Sequence, residues 1–344
     1  MLAFTSLEKK RVLYFRFDAS VFHCGLVITV EVRFLYIFIT YIYYLIFIND
    51  LPNATNLYIK LFADDTFLCA QNSDIQLLED EVNLEIEKVY RWLKSNKLTL
   101  NISKSKFMII SNKKHIKNDF LVAIDSVPLL KCDQYKYLGV VIDKNLCWKQ
   151  HIEYISTKIS KACGILSRLR HCLNSLVLVE IYNALIHSYV RYGIIVWGNA
   201  SEATLKPLQV LINRALRIMT FAPFGRVDLK PIYRELKVLD IKDTLILETS
   251  KHMFKLKNDL LPLKFADYFT RNDFPASSSS NLYALRSNVR HNHVNIITRL
   301  QSSNKSIQVR GERLWNNISE DNRAISTLSC FKKIIKRILI ENHD

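Results

Sequence analysis

A chain of 344 residues with 48 Lys+Arg against 32 Asp+Glu carries a formal charge of +16, which makes a polyanion the default partner, nucleic acid first and an acidic membrane surface second. Only 7 glycines are present, and no dinucleotide fingerprint or P-loop can be written from them. With 49% hydrophobic and 23% charged residues the composition is that of a globular chain, neither collagen-like nor disordered.

The first apolar segment is Leu26–Val30, separated by Glu31 and Arg33 from Phe34–Ile48, an uncharged run rich in Ile, Phe and Tyr. A spanning helix wants about 20 apolar residues. This run is shorter, and its composition suits a buried strand or mixed core at least as well as a membrane span. It starts too late for a secretory signal, and no small-residue cleavage site follows it. Next, Asn49-Asp50-Leu51-Pro52-Asn53 is a turn signal. The apolar runs Leu57–Phe62 and Thr66–Ala70 then predict a β-hairpin, with Asp64 and Asp65 at or beside its turn.

From Ser73 the period becomes helical, through Ile75, Leu78, Val82, Ile86, Val89 and Leu93, with Ser73 and Gln76 as the expected capping box. Residues 98–111 return towards strand around a lysine-rich turn, and residues 120–143 hold further short strands. Residues 150–260 read as helices. One apolar stripe is Leu205, Leu208, Ile212, Ala215 and Met219; another is Leu176, Val179, Asn183, Ile186 and Val190, with Ser175 as its N-cap. Residues 271–281 are a Ser-rich linker by composition. Beyond it, residues 281–340 hold eleven Lys/Arg against three acids, half of the chain's excess charge.

The seven cysteines are Cys24, Cys69, Cys132, Cys147, Cys163, Cys172 and Cys330. Their irregular spacing has no zinc pattern, so they are expected to be reduced and mostly buried thiols of an intracellular protein. His291 and His293 lack a partner at a telling spacing and read as part of a solvated basic loop.

Two adjacent carboxylates at a hairpin turn can hold Mg²⁺, which takes hard oxygen ligands and keeps waters for substrate phosphates. Taken alone, the pair is better explained by ordinary turn chemistry. The surrounding residues add weight. Phe62-Ala63-Asp64-Asp65, led in by Ile48-Asn49-Asp50-Leu51-Pro52, resembles the F/Y-A-D-D box of reverse transcriptases of the non-LTR, jockey-like retrotransposons. Trp92, Leu98-Thr99-Leu100-Asn101 and Lys104-Ser105-Lys106 resemble the family's next block, and Tyr137-Leu138-Gly139-Val140 with Ile142-Asp143 its primer-grip motif. Leu146, Trp148, His151 and Ile152 follow in the family's order, as do Trp197-Gly198, Asn213–Arg217 and Gly311-Glu312-Arg313-Leu314-Trp315-Asn316.

That resemblance implies an α+β fold: a partial polymerase palm of antiparallel sheet and helices over 49–148, an all-α thumb-like region over 149–270, the linker, and a basic helical tail over 282–344. It implies that Asp64 and Asp65 ligate Mg²⁺. Lys104 would stand near the pyrophosphate side of the nucleotide, with Lys106 as the neighbouring alternative. Tyr137, Leu138 and Gly139 would support the primer end. Arg168, Arg170, Arg214 and Arg217 are expected to contact nucleic acid. The implied partners are an RNA template, a DNA primer and deoxynucleoside triphosphates.

Upstream of Ile48 the family pattern breaks. No P-Q-G segment, which shapes the family's nucleotide pocket, stands anywhere in the chain, and the stretch from Asp18 to Asp64 is short for the family. Phe17-Asp18 with Val21–Leu26 echoes the family's F-D-x-V-W-H-x-G-L, which makes Asp18 the third carboxylate. The expectation is a truncated or decayed polymerase, inactive alone, with the apolar segment 1–48 replacing fingers and early palm. Two other readings stand beside it: a non-catalytic basic nucleic-acid-binding remnant, and a membrane-anchored basic protein.

Overall fold

The computed structural model describes residues 2–3, 43–63, 65–111, 120–223, 225, 228–262 and 307–341. The chain divides into two units: Met1–Tyr135 with Asp143–Leu146, and Lys136–Ile142 with Cys147–Asp344. The α+β expectation holds, with the strands concentrated in the first unit and most of the helices in the second.

In the first unit, β1 (Leu2–Ala3), β2 (Tyr58–Phe62) and β3 (Asp65–Cys69) form an antiparallel sheet with β3 in the middle. The expected hairpin is present, in the register Tyr58↔Cys69 to Phe62↔Asp65. Ahead of it, residues 43–48 form helix α1, the described end of the apolar run. Helix α2 (Ile75–Ser95) buries Ile86, Val89 and Leu93 against Ile48, Leu51, Leu57 and Leu68, as its three- and four-residue steps require. Each such aliphatic residue contributes about 1.5–3 kcal/mol through burial. The cap of α2 is Asp74 rather than Ser73: its carboxylate accepts from Gln76 N at 2.8 Å and Leu77 N at 3.3 Å. A carboxylate satisfies the exposed amides and also meets the positive end of the helix dipole. The remaining strands are short: β4 (Lys106–Phe107), β5 (Ala123–Ile124), β6 (Val127–Pro128) and β7 (Leu130–Lys131). β4 pairs parallel with β7, and β5 antiparallel with β6.

A two-stranded hairpin follows, β8 (Gln134–Tyr137) and β9 (Val140–Asp143), and its tip groups with the second unit. That unit is built on α3 (Lys149–Leu169), α4 (Ser175–Tyr182), a π-helical turn Asn183–His187, α5 (Ser188–Arg191), α6 (Ile194–Trp197), α7 (Glu202–Thr220), α8 (Lys230–Glu235) and α9 (Ile241–Lys257). The stripe Leu205, Leu208, Ile212, Ala215 and Met219 is buried as expected. Of the second stripe, Ile186 and Val190 are buried as expected, but within α4 the buried residues are Leu178 and Tyr182, while Leu176 is 79% exposed. The π turn inserts an extra residue and shifts the phase of the helix ahead of it, which a constant 3.6-residue period does not anticipate. The N-cap of α4 is Asn174, whose side chain accepts from Val177 N at 3.0 Å, one residue before the expected Ser175.

Helices Ile307–Asn316 and Leu328–Glu341 pack on α9, burying Trp315 and Phe331 against Phe254 and Met253. Gly311 permits the approach, since a Cβ there would lie 2.6 Å from Met253 Sδ. Among the described cysteines only Cys163 is buried; Cys69, Cys147, Cys172 and Cys330 are exposed and Cys132 half-buried, so the expectation of mostly buried thiols is corrected. These positions lie on strand edges, turns and outward helix faces, where packing does not claim a small side chain. Cys24, the linker 271–281 and His291–His293 lie outside the described residues.

Candidate active site

The aspartate hairpin turns in two residues, between Phe62 and Asp65. Ala63 takes a left-handed backbone, φ 50°, which suits the primed turns that match the twist of paired strands. Asp64 lies outside the described residues; Asp65 heads β3 and is half-buried. Leu2↔Thr66 and Ala3↔Asp65 place β1 alongside it. The outward face of β2 carries Tyr58, Lys60 and Phe62, with the Lys60 ammonium 4.9 Å from the centre of the Tyr58 ring. Near Asp65 stands Tyr135: burial first, then the Asp65 charge, holds its phenol above the ordinary value.

The hairpin is fixed at its base. Glu85 on α2 is buried, and its Oε2 accepts from Thr55 Oγ1 at 2.9 Å and Asn56 N at 2.7 Å. Its Oε1 accepts from Lys88 Nζ at 2.5 Å and Asn56 Nδ2 at 3.3 Å. The Lys88 bond, the Asn56 amide and the Thr55 hydroxyl outweigh burial and lower its pKa to about 2. Nothing in the sequence marks Glu85 among the other acids of α2; only the fold brings residues 55–56 to it.

Lys104 closes a short 3-10 turn, Ile102–Lys104, capped by Asn101 Oδ1, which accepts Lys104 N at 3.1 Å. Its side chain is exposed. Lys106 starts β4, and its charge opposes the burial that raises the Cys132 thiol. Cys132 in turn acts on Tyr135 together with Asp65.

The second hairpin turns at Leu138, φ 45°, and Gly139, φ 84°, so both tip residues are left-handed. A Cβ at Gly139 would lie 3.2 Å from Cε1 of Tyr192. Tyr192 Oη donates to Leu138 O at 2.5 Å, and Val141 N donates to His151 Nδ1 at 3.3 Å. Burial lowers the pKa of His151 to about 4, which keeps the ring neutral and able to accept. Lys136 Nζ donates to Tyr154 Oη at 2.9 Å. Tyr137, Leu138 and Gly139 are therefore carried on a clamped tip. His151 stands in the Leu-x-Trp-x-x-His-Ile run of the sequence, whereas Tyr192 has no local signal.

The four arginines come from two helices that touch along their length. Cys163 Sγ on α3 lies 3.7 Å from Leu211 O on α7, and Arg170 and His171 after α3 meet Phe221 after α7. Both C-termini therefore lie at one end, where Arg170 meets Phe221 and Arg217 stands in the last turn of α7. Arg168 and Arg214 are exposed, and Arg217 Nη2 donates to Gly225 O at 3.3 Å.

Residues 36–142 match the family model for the reverse transcriptase (RNA-dependent DNA polymerase). Over this stretch the chain is similar to reverse transcriptases. Over 225 residues the chain is 24% identical to the RNA-directed DNA polymerase from mobile element jockey of Drosophila melanogaster, covering 62% of this chain and 24% of that protein. It is 25% identical over 223 residues to the probable RNA-directed DNA polymerase from transposon X-element of the same fly, again covering 62% and 24%. The jockey polymerase of Drosophila funebris is 27% identical over 214 residues, covering 59% and 23%. The chain spans about a quarter of the length of these curated relatives.

The reverse transcriptase match takes in the aspartate hairpin, both lysines and the Tyr137–Gly139 tip, and reaches back into the apolar run. Asp18 lies before it and outside the described residues; the four arginines lie after it. No helix among the described residues is long and apolar enough to cross a membrane. A divalent cation needs several hard oxygen donors. Among the described residues no three of His, Cys, Asp or Glu are grouped, so Asp65 and its described neighbours do not by themselves build a Mg²⁺ site.

Proposed function

We propose that the chain is part of the palm of a jockey-like RNA-directed DNA polymerase, continued by a thumb-like helical region and a basic tail that grip nucleic acid inside the cell. The observation that carries this reading is Asp65 at the head of a strand leaving a two-residue hairpin tip, within the stretch that matches the family. Asp64 and Asp65, with Asp18 as third carboxylate, are the residues that would hold Mg²⁺. When bound, such an ion stabilises charge on the phosphates during nucleotidyl transfer. Lys104, with Lys106 as the neighbouring alternative, would neutralise the leaving pyrophosphate. Tyr137, Leu138 and Gly139 would support the DNA primer end against an RNA template, with deoxynucleoside triphosphates as substrates.

Phosphoryl transfer rests on positioning and electrostatics, so a chain without the P-Q-G pocket segment is expected to make no product on a primed RNA template. Added Mg²⁺ should raise the thermal midpoint of the full chain, and Asp65→Asn should remove that rise. A midpoint indifferent to Mg²⁺ overturns the palm reading. Primer extension that is lost in Asp65→Asn overturns the inactivity. The exposed arginines of α3 and α7 favour a second reading, a non-catalytic nucleic-acid-binding remnant. That reading leaves the midpoint unmoved by Mg²⁺ while salt steeply weakens binding.

A further inference from the structure

Phe221 is an aromatic side chain that the core does not use. It ends α7 as a left-handed C-cap, φ 56° and ψ 18°, the position that glycine normally fills. It remains 55% exposed. The Arg170 guanidinium lies 4.5 Å from its ring centre, and the His171 ring meets it at 5.5 Å with an interplanar angle of 70°. Arg170 Nε donates to His171 Nε2 at 3.2 Å, which fixes the guanidinium and the imidazole to each other. A bulky residue in a backbone state that disfavours it, exposed and yet braced by arginine, is the kind of local strain that marks a functional surface.

The charge around the ring identifies the partner. Arg170 lies on the ring itself and Arg217 stands in the last turn of α7, which Phe221 closes, so phosphates are drawn to the place where an aromatic face is presented. Arginine and aromatic together form the usual platform for an unpaired base, because every base has a π face and no particular sequence is needed. A regular duplex keeps its bases stacked on each other and offers only phosphates here. We infer that Phe221, held by Arg170, is a stacking platform for an unpaired base of a nucleic-acid strand whose phosphates lie on the neighbouring arginines. This rests on the nucleic-acid reading above and adds to it the single-stranded character of the contact.

The test uses the full chain at one salt concentration, with fluorescence anisotropy on labelled RNA and DNA single strands of about twelve nucleotides and a DNA duplex of equal length. Phe221→Gly should weaken single-strand binding about tenfold and leave the duplex unchanged, and Phe221→Trp should retain the affinity. Glycine accepts the left-handed backbone, so the thermal midpoint of Phe221→Gly should hold or rise, which excludes misfolding as the cause. A loss confined to RNA or to DNA supports the platform and assigns its strand. Wild-type affinity in Phe221→Gly, or an equal loss on the duplex, overturns the platform while leaving nucleic-acid binding in place. A wild-type chain that binds none of the three probes overturns the nucleic-acid reading itself.

Discussion

The two hairpins of this chain turn in the same way and are held in opposite ways. Both reverse in two residues, through Ala63 at one and through Leu138 and Gly139 at the other, with left-handed backbone in each. The aspartate hairpin is fixed at its base, where Glu85 gathers residues 55 and 56 onto α2. The Tyr137–Val140 hairpin is fixed at its tip, by Tyr192 on Leu138 and His151 on Val141. Anchoring at the base leaves a tip to present acids. Anchoring at the tip makes a brace whose outline cannot shift. The family match spans both motifs, and the physical division of labour between them follows from where the hydrogen bonds fall.

The sharpest way to break this contrast is at Glu85. Glu85→Ala deletes a buried carboxylate with four partners and should cost about 3 kcal/mol in chemical denaturation. Its pH profile adds a second readout. The folded pKa of about 2 lies below the ordinary 4.5, so the unfolded chain binds more protons between those values. The contribution is fully present above pH 4.5 and is lost as the pH falls through about 2. Denaturation midpoints should therefore drop less steeply with acid in Glu85→Ala than in wild type; parallel profiles would remove Glu85 as the base anchor.

Gly139→Val tests the tip. A β-branched residue at φ 84° meets both backbone strain and the Tyr192 ring, and the expected cost is about 2 kcal/mol. A value near zero would mean that the tip rearranges without penalty. The smallest effect belongs to Tyr192→Phe, which removes only the hydroxyl donated to Leu138 O, at about 1 kcal/mol. If it equals the Gly139→Val loss, the clamp resides in the hydrogen bond rather than in the ring contact.

Much of this was legible in the chain itself, for definable reasons. The aspartate hairpin announces itself because two short apolar runs flank a four-residue motif, and α2 because its buried residues keep a constant period. Helix starts were misplaced by one residue at Ser73 and Ser175, since Asp74 and Asn174 compete for the same cap. The α4 stripe failed at a π turn, where the period changes. Glu85 and Tyr192 carry no local signal because Thr55, Asn56 and Leu138 meet them only in the fold. The four arginines are named from composition and resemblance, whereas the meeting of Arg170 with Phe221 is a fact of packing.

The contact of Gly311 with Met253 bears on how the C-terminal charge is displayed. A helix seated that closely on its neighbour cannot swing, and Trp315 and Phe331 fasten the same seam. Arg313, Lys332, Lys333 and Arg337 consequently project outward from a rigid support. A floppy cationic arm must surrender its conformational freedom when it meets a polyanion, at a cost that erodes affinity. Cations on docked helices have already given up that freedom during folding. The glycine in Gly-Glu-Arg-Leu-Trp-Asn thus bears on electrostatics, by letting the helix that carries Arg313 dock.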